Sequence, residues 1–187
     1  MDIGIIILLV IVVLALFAIV WFISARNKFV VLRNKVEEGY ATIEVYLKKR
    51  YDLIPNLLET VKGYVKHEKE TFIKVTEARN GAINASPAEQ AVAENNLSNT
   101  LKSLFAVAES YPELKADSQF INLQNQLTSI ETELAQSRKY YNALIKNFNT
   151  SIEVFPANIV ANMMKLEKKE YFQIEDSIER QNVKISF

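Results

Sequence analysis

An uncharged apolar run near the N-terminus constrains the fold of this chain more than any other feature. Residues 3–23 read IGIIILLVIVVLALFAIVWFI, about 21 residues without a charged side chain. At about 1.5 Å per residue, a helix of this length crosses a hydrocarbon core of roughly 30 Å. Apolar residues cover the whole circumference of such a helix, which disfavours a buried helix of a soluble protein. This apolar run therefore predicts one transmembrane helix.

A cleaved signal peptide is the main alternative for the same residues. Signal peptides carry a basic n-region, an apolar core of about 7–15 residues and a cleavage site with small residues. Here Asp2 occupies the n-region, the apolar core is longer, and Phe22-Ile23-Ser24-Ala25 is a poor cleavage site. These departures favour a retained membrane anchor.

The charges around the apolar run predict its orientation. Trp21 lies at the end of the run, where aromatic side chains favour the headgroup boundary. The other end has only Met1, Asp2 and the terminal amine. The C-terminal side is basic, with Arg26, Lys28, Arg33 and Lys35. Because basic flanks stay in the cytoplasm, we expect the N-terminus outside and the domain inside, with Trp21, Arg26 and Lys28 at the membrane interface.

The composition excludes several classes of function. Lys and Arg number 22 and Asp and Glu number 22, so the basic surplus typical of a nucleic-acid binder is missing. The absence of cysteine excludes disulfides, thiolate catalysis and cysteine zinc sites. The chain has four glycines and four prolines, few for a strand-rich fold that depends on turns. This composition indicates long helices.

Beyond the apolar run, apolar residues recur at steps of three and four, the spacing of a helix packed on partners. No breaker separates this seam from the membrane run, so we expect one helix to continue from the membrane into the domain. Arg50 lies on the same seam. Pro55 predicts a kink near residues 51–55, with helix resuming to about Asn80. The seam contains Phe29, Leu32, Val36, Gly39, Ile43, Tyr46, Ile54, Leu57, Val61 and Tyr64.

Two further long helices and a short one follow. Ser86-Pro87-Ala88-Glu89 is a helix start signal, and Pro112 ends that second helix. Asp117 or Ser118 can cap a third helix, and residues 158–165 can form a short fourth. The apolar set of the second helix is Leu97, Leu101, Leu104, Ala108 and Tyr111. That of the third is Phe120, Leu123, Leu127, Ile130, Leu134, Tyr141, Leu144, Phe148, Ile152 and Phe155.

These elements predict an all-α protein, in which a single N-terminal transmembrane helix continues into an antiparallel bundle of three long helices plus a short one. We expect an anchor over residues 1–25, a cytoplasmic bundle over 26–165 and a tail over 166–187. The alternation of Val183, Ile185 and Phe187 is typical of an extended segment, laid on the bundle or on a neighbour.

Several motifs resemble those of the LemA family of bacterial membrane proteins. They are RYDLIPNL at 50–57, VKGY at 61–64, HE at 67–68, ESYPELKA at 109–116, RKYYN at 138–142, and Asn149 with FPAN at 155–158. The resemblance runs from the membrane segment to at least Phe172. It implies a bundle anchored in the bacterial inner membrane, with a short extracellular N-terminus and a cytoplasmic domain. It implies no reaction, although a quality-control membrane metalloprotease is a suggested associate of some members.

These motifs supply the candidate structural or interaction residues. For Arg50 and Asp52 we expect pairing that ties the helix to Glu109, Glu131 or Glu133, because an unpaired charge in a helix seam is costly. The candidates are Arg50, Asp52, Pro55, Asn56, Tyr64, Glu68, Glu109, Tyr111, Arg138, Tyr141 and Asn142.

The other expected roles are also mainly structural. Pro55 frees a backbone carbonyl near residue 51, which the Asn56 side chain or a water can satisfy. Glu109, Tyr111, Arg138, Tyr140, Tyr141 and Asn142 form the most polar and aromatic group, and a network or groove built from them favours packing over catalysis. His67 is the one histidine, and the second histidine of an HExxH site would fall on Thr71. We therefore expect no metal and no cofactor.

The sequence contains no P-loop, no nucleophile elbow and no dinucleotide-binding glycine pattern. We expect the protein not to be an enzyme. The favoured function is a scaffold that self-assembles at the bilayer and organises membrane or partner proteins. A regulatory adaptor of a membrane enzyme, such as a protease, is the alternative. A ligand sensor or enzyme built around Arg138 is a third hypothesis. The expected partners are the lipid bilayer, copies of the chain and a membrane protein, without nucleic acid.

Overall fold

A computed structural model describes residues 3–65, 68–86 and 89–172 of the chain. These residues are helical and contain no strand, so the all-α prediction is confirmed. His67, Pro87 and the alternating end of the tail lie outside the described residues. The helices are α1 (Ile3–Lys62), α2 (Lys69–Ile83), α3 (Gln90–Ala108), α4 (Pro112–Lys115), α5 (Ser118–Glu153) and α6 (Ala157–Met163).

The first helix is 60 residues long and includes both the apolar run and the start of the domain. This confirms the prediction of one helix that continues past the apolar run. The side chains of residues 3–20 are exposed in the described part of the chain. Among the described helices, α1 is the one that is long and apolar enough to cross a membrane.

The prediction of a single helix up to Asn80 is wrong. The first helix ends at Lys62 and α2 begins at Lys69. After Lys62, the amides of Tyr64 and Val65 both donate to the carbonyl of Val61, at 3.0 and 3.1 Å. Gly63 in this turn is a poor helix former. The end of α1 and the apolar face of α2 also pack on the same core, so the chain must turn between them.

Of the two predicted caps, Asp117 begins its helix and Ser86 does not. The N-cap residue of α3 is Glu89, and the Ser86 hydroxyl donates to its carboxylate at 2.6 Å. The Asp117 carboxylate accepts the amide of Phe120 at 2.8 Å, which caps α5. Pro112 follows the end of α3 and is the first residue of α4. Glu68 lies at the N-cap position of α2, without a side-chain cap hydrogen bond.

The described residues form two compact units. The first unit contains residues 3–42 of α1 and residues 137–171. The Tyr40 and Tyr141 rings lie 5.7 Å apart between centroids. Gly39 allows α5 to approach closely, because a Cβ at this position would lie 2.8 Å from Leu144 Cδ1. The core consists of Phe29, Val36, Leu144, Ile145, Phe148, Ile152, Val160 and Ala161.

The second unit contains residues 43–136, with the end of α1, α2, α3, α4 and the start of α5. Phe105 and Phe120 pack edge to face, with centroids 6.2 Å apart. Its core is Ile54, Leu57, Leu58, Val61, Val65, Val75, Ala78, Ala82, Leu97, Leu101, Leu104, Ala108, Leu114, Phe120 and Leu127.

Most residues of the predicted apolar sets are buried or half-buried, and the clear exceptions are Tyr64, which follows the end of α1, and Phe155. Phe155 follows the end of α5 and is largely exposed, whereas Phe148 and Ile152 of the same set are buried. The physical reason is that α5 ends at Glu153, so the helical spacing that buries the earlier members does not extend to residue 155.

Candidate functional site

A buried arginine forms the centre of the candidate site, in the second unit. Arg50 is 0% exposed. Its Nη1 donates to Glu94 Oε2 at 2.7 Å, and Glu94 is itself buried. Its Nη2 donates to Ser98 Oγ at 2.8 Å and lies 2.6 Å from Glu131 Oε1. The guanidinium therefore joins three helices, because Arg50 is on α1, Glu94 and Ser98 are on α3, and Glu131 is on α5.

Tyr51 and Gln90 extend this network on the other side of Glu94. The Tyr51 hydroxyl donates to Glu94 Oε1. Gln90 Nε2 donates to the Tyr51 hydroxyl at 3.0 Å, to Glu94 Oε1 at 3.2 Å and to the carbonyl of Ala82 at 3.2 Å. Burial, and then the hydrogen bond to Glu94, raise the pKa of Tyr51 well above its ordinary value.

The proline of α1 contributes a backbone acceptor to the same site. Pro55 has no N–H, so the carbonyl four residues earlier, on Tyr51, loses its helical hydrogen bond. Arg79 Nε, from α2, donates to this Tyr51 carbonyl at 2.8 Å. The donor is therefore a side chain from another helix, whereas the sequence suggested a water or the Asn56 side chain, which is exposed. The freed carbonyl becomes a point at which α2 is attached to α1.

The partners of Arg50 were only partly predictable. Glu131 is one of the three carboxylates expected to pair with it. Glu109 instead pairs with Lys115 at 2.6 Å. The Glu133 carboxylate, through its negative charge, raises the pKa of Tyr46. Glu94 was missed, although a signal existed, because Gln90 and Glu94 continue the apolar spacing of Leu97 and Leu101 and so fall on the buried face of α3.

The other motif residues of the second unit lie at its surface or edge. Asp52 pairs with Lys48 at 2.7 Å, with both side chains exposed, and Pro55 is exposed as well. The Tyr64 hydroxyl donates to Asp117 Oδ2 at 2.9 Å. This bond raises the pKa of Tyr64, while the amide of Phe120 and then Tyr64 lower the pKa of Asp117.

The predicted polar and aromatic group is divided between the two units. Glu109 and Tyr111 belong to the second unit, where Tyr111 packs on the core. Arg138, Tyr141 and Asn142 belong to the first unit and are partly buried there. Burial, with a contribution from Tyr40, raises the pKa of Tyr141.

The predicted membrane-interface residues lie in the first unit. Trp21 packs with Phe22 and Ala25 on the first core, so it is partly buried within the protein. Arg26 and Lys28 are exposed. Trp21 therefore packs the end of the apolar run against the core of the first unit.

The network around Arg50 can hold the helices of the second unit in place. A buried ion pair contributes little net stability by itself, but removal of one partner leaves an uncompensated charge, which is costly. The hydrogen-bonded pair thus enforces one arrangement of α1, α3 and α5, and Arg79 adds α2.

The fold and its uncovered apolar helix define a membrane-associated helical protein. The chain belongs to the LemA family, whose model matches residues 39–187. Protein LemA of Metamycoplasma hominis is 26% identical over 170 residues, which covers 88% of this chain and 76% of the relative. Magnetosome protein MamQ 2 of Paramagnetospirillum magneticum is 25% identical over 194 residues, with 89% and 71% covered. Magnetosome protein MamQ of Magnetospirillum gryphiswaldense is 23% identical, with 88% and 71% covered.

Proposed function

We propose that this protein is a membrane-anchored helical scaffold that self-assembles, organises membrane or partner proteins, and catalyses no reaction. The polar network around Arg50 supports this proposal, because both Nη atoms of Arg50 are engaged in joining α1 to α3 and α5. The names of the MamQ relatives also support it, since they refer to the magnetosome and not to a reaction.

Self-assembly is supported by exposed apolar side chains on α1 just beyond the apolar run. Val30 and Val31 are exposed, whereas Phe29 and Val36 are buried in the first core. Identical anchors hold every copy at the same depth, so these valines lie level with those of a neighbouring copy. Confinement to one membrane also raises the effective concentration of the copies. Side-by-side packing through this side of α1 follows without any further partner.

We expect Val31→Glu to reduce the mass of the full-length protein in mild detergent, measured by light scattering coupled to sizing. A charge at this position repels its counterpart in the next copy and is costly to bury. Val92→Glu on α3 is the matched control, because Val31 is 53% and Val92 61% exposed. Point variants are preferable to removal of the anchor, which would also strip Trp21 from the first core. A parent protein that is already monomeric would refute self-assembly.

The alternative function, a regulatory adaptor of a membrane enzyme such as a quality-control metalloprotease, is favoured by a groove in the second unit. This groove of about 900 Å³ lies between α2 and α3 and has both polar and apolar walls. Its lining includes Lys74, Glu77, Val92, Asn96 and Thr100. The same two variants separate the functions, since a protein partner that is lost in Val92→Glu but retained in Val31→Glu indicates an adaptor.

The proposed location is the bacterial inner membrane, with the N-terminus outside and the domain in the cytoplasm. The support is the basic flank that begins at Arg26. Because the chain has no cysteine, single cysteines at Asp2 and at the exposed Lys102 report on each side cleanly. In spheroplasts, we expect a membrane-impermeant maleimide to label the cysteine at position 2. We expect the cysteine at position 102 to remain unlabelled. The reverse labelling would show the opposite orientation.

A further inference from the structure

Three apolar side chains around α6 point away from the first core. Phe155 is 80% exposed, Ile159 50% and Met163 67%. Ile159 and Met163 are four residues apart on α6 and therefore share one side of the helix, and Phe155 lies in the turn just before it. Val160 and Ala161, on the other side of α6, are buried. This group of Phe155, Ile159 and Met163 is called the α6 apolar surface below.

The packing of the first unit places α6 where α1 leaves the apolar run. Trp21, Phe22 and Ala25 pack on the core that includes Val160 and Ala161. The register between α1 and α5 leads to the same placement of α6. Tyr40 of α1 lies beside Tyr141 of α5, and Arg50 of α1 lies beside Glu131 of α5, so the two helices run in opposite directions. At about 1.5 Å per residue on both helices, Phe29 and Ile152 lie at the same level. The chain beyond Ile152 therefore continues toward residues 21–25.

The chain reverses directly after α6. Lys165 adopts a left-handed conformation, with φ of 51°. The amide of Leu166 donates to the carbonyl of Ala161 and that of Lys165 to Asn162, both at 3.0 Å, which is a Schellman helix end. Lys169 and Asn149 then exchange two hydrogen bonds of 2.9 Å, so the chain returns along α5. Helix α6 is consequently at the end of the unit that lies nearest the apolar run.

We propose that the α6 apolar surface lies in the headgroup region of the bilayer and forms a second membrane contact beside the transmembrane helix. Single exposed apolar residues are ordinary, but a group of large ones beside a membrane anchor is typical of an interfacial helix. Lys165 is exposed at the end of α6, and Arg26 and Lys28 are exposed on α1, where they suit anionic headgroups. This contact fixes the tilt of the first unit against the membrane. The inference rests on insertion of the apolar run, which the experiment checks separately.

The test uses full-length protein with a single cysteine at Ile159 or Met163, labelled with an environment-sensitive fluorophore. The protein is reconstituted at one copy per nanodisc, in a phosphatidylcholine and phosphatidylglycerol mixture. We expect blue-shifted emission at both positions, and quenching when the lipids are brominated on their acyl chains. Ile121→Cys is the matched control, an exposed isoleucine of a helix in the second unit, where we expect emission typical of water and no quenching.

Each other outcome overturns the proposal. Water-like emission at positions 159 and 163 would show that the α6 apolar surface faces solvent. Blue-shifted emission without lipid quenching would show that protein covers the surface. Trp21 is the one tryptophan of the chain, so its quenching in the unlabelled protein reports insertion of the anchor independently. Quenching of Trp21 without quenching at position 159 would refute the α6 contact while leaving the anchor intact.

Discussion

Arg50→Ala lowers the free energy of unfolding by about 3–5 kcal/mol, the range for breaking a buried ion pair. The substitution leaves Glu94 buried without its cationic partner, and it removes the donor to Ser98. Burial of an uncompensated carboxylate is the dominant cost. The measurement is a denaturant titration of the full-length protein in detergent, followed by circular dichroism.

Two control variants separate the buried charge from side-chain truncation in general. Lys48→Ala breaks the exposed pair with Asp52 and is expected to cost about 0.5 kcal/mol or less. Arg50→Met combined with Glu94→Leu removes both charges, and we expect it to recover much of the loss, because apolar replacements of buried pairs are often neutral. If Arg50→Ala costs no more than Lys48→Ala, the guanidinium is hydrated and the buried network described here is wrong.

Arg79→Ala lowers the free energy of unfolding by about 1–3 kcal/mol, the usual penalty for an unsatisfied backbone acceptor. The carbonyl concerned is that of Tyr51, which Pro55 deprives of its helical donor. The same denaturant titration measures this loss. Lys74→Ala on the same helix is the control, because Lys74 makes only an exposed pair with Glu70 among its described contacts.

A double-mutant cycle isolates the contribution of the proline. In Pro55→Ala, the restored amide of residue 55 can donate to the Tyr51 carbonyl, so Arg79 is no longer its necessary donor. We expect Arg79→Ala to cost about 1 kcal/mol less in the Pro55→Ala protein than in the parent. An equal cost in both proteins would mean that Arg79 stabilises the second unit by some route other than the freed carbonyl.

Arg50 and Arg79 both attach helices to one another in the second unit of the proposed scaffold. Arg50 holds α1 against α3 and α5, and Arg79 holds α2 against α1. Both attachments are polar and directional, so they add to the apolar packing that holds these helices together. A rigid second unit presents any partner surface, including the groove between α2 and α3, in a constant geometry.

The sequence by itself determined the features that depend on local spacing. The length of the apolar run predicted the long N-terminal helix, and the seam from Phe29 to Tyr64 predicted most of the buried residues of α1. Tyr64 is nevertheless exposed, and Leu47 and Leu58 are buried outside the seam. Arg50 was placed on that seam by the same periodicity, and its burial required a charged partner. Spacing along one helix suffices for these conclusions, because it decides which side chains share a face.

Only the tertiary structure decided which faces meet. Glu94 is 44 residues from Arg50, and Arg79 is 28 residues from Tyr51, so their pairing depends on helix register and on the turn after Lys62. The turn after Glu153 likewise exposes Phe155, although its spacing continues the apolar set of α5. A pattern along a single helix contains no information on the register between helices. Register is set by the packing of all the core side chains together.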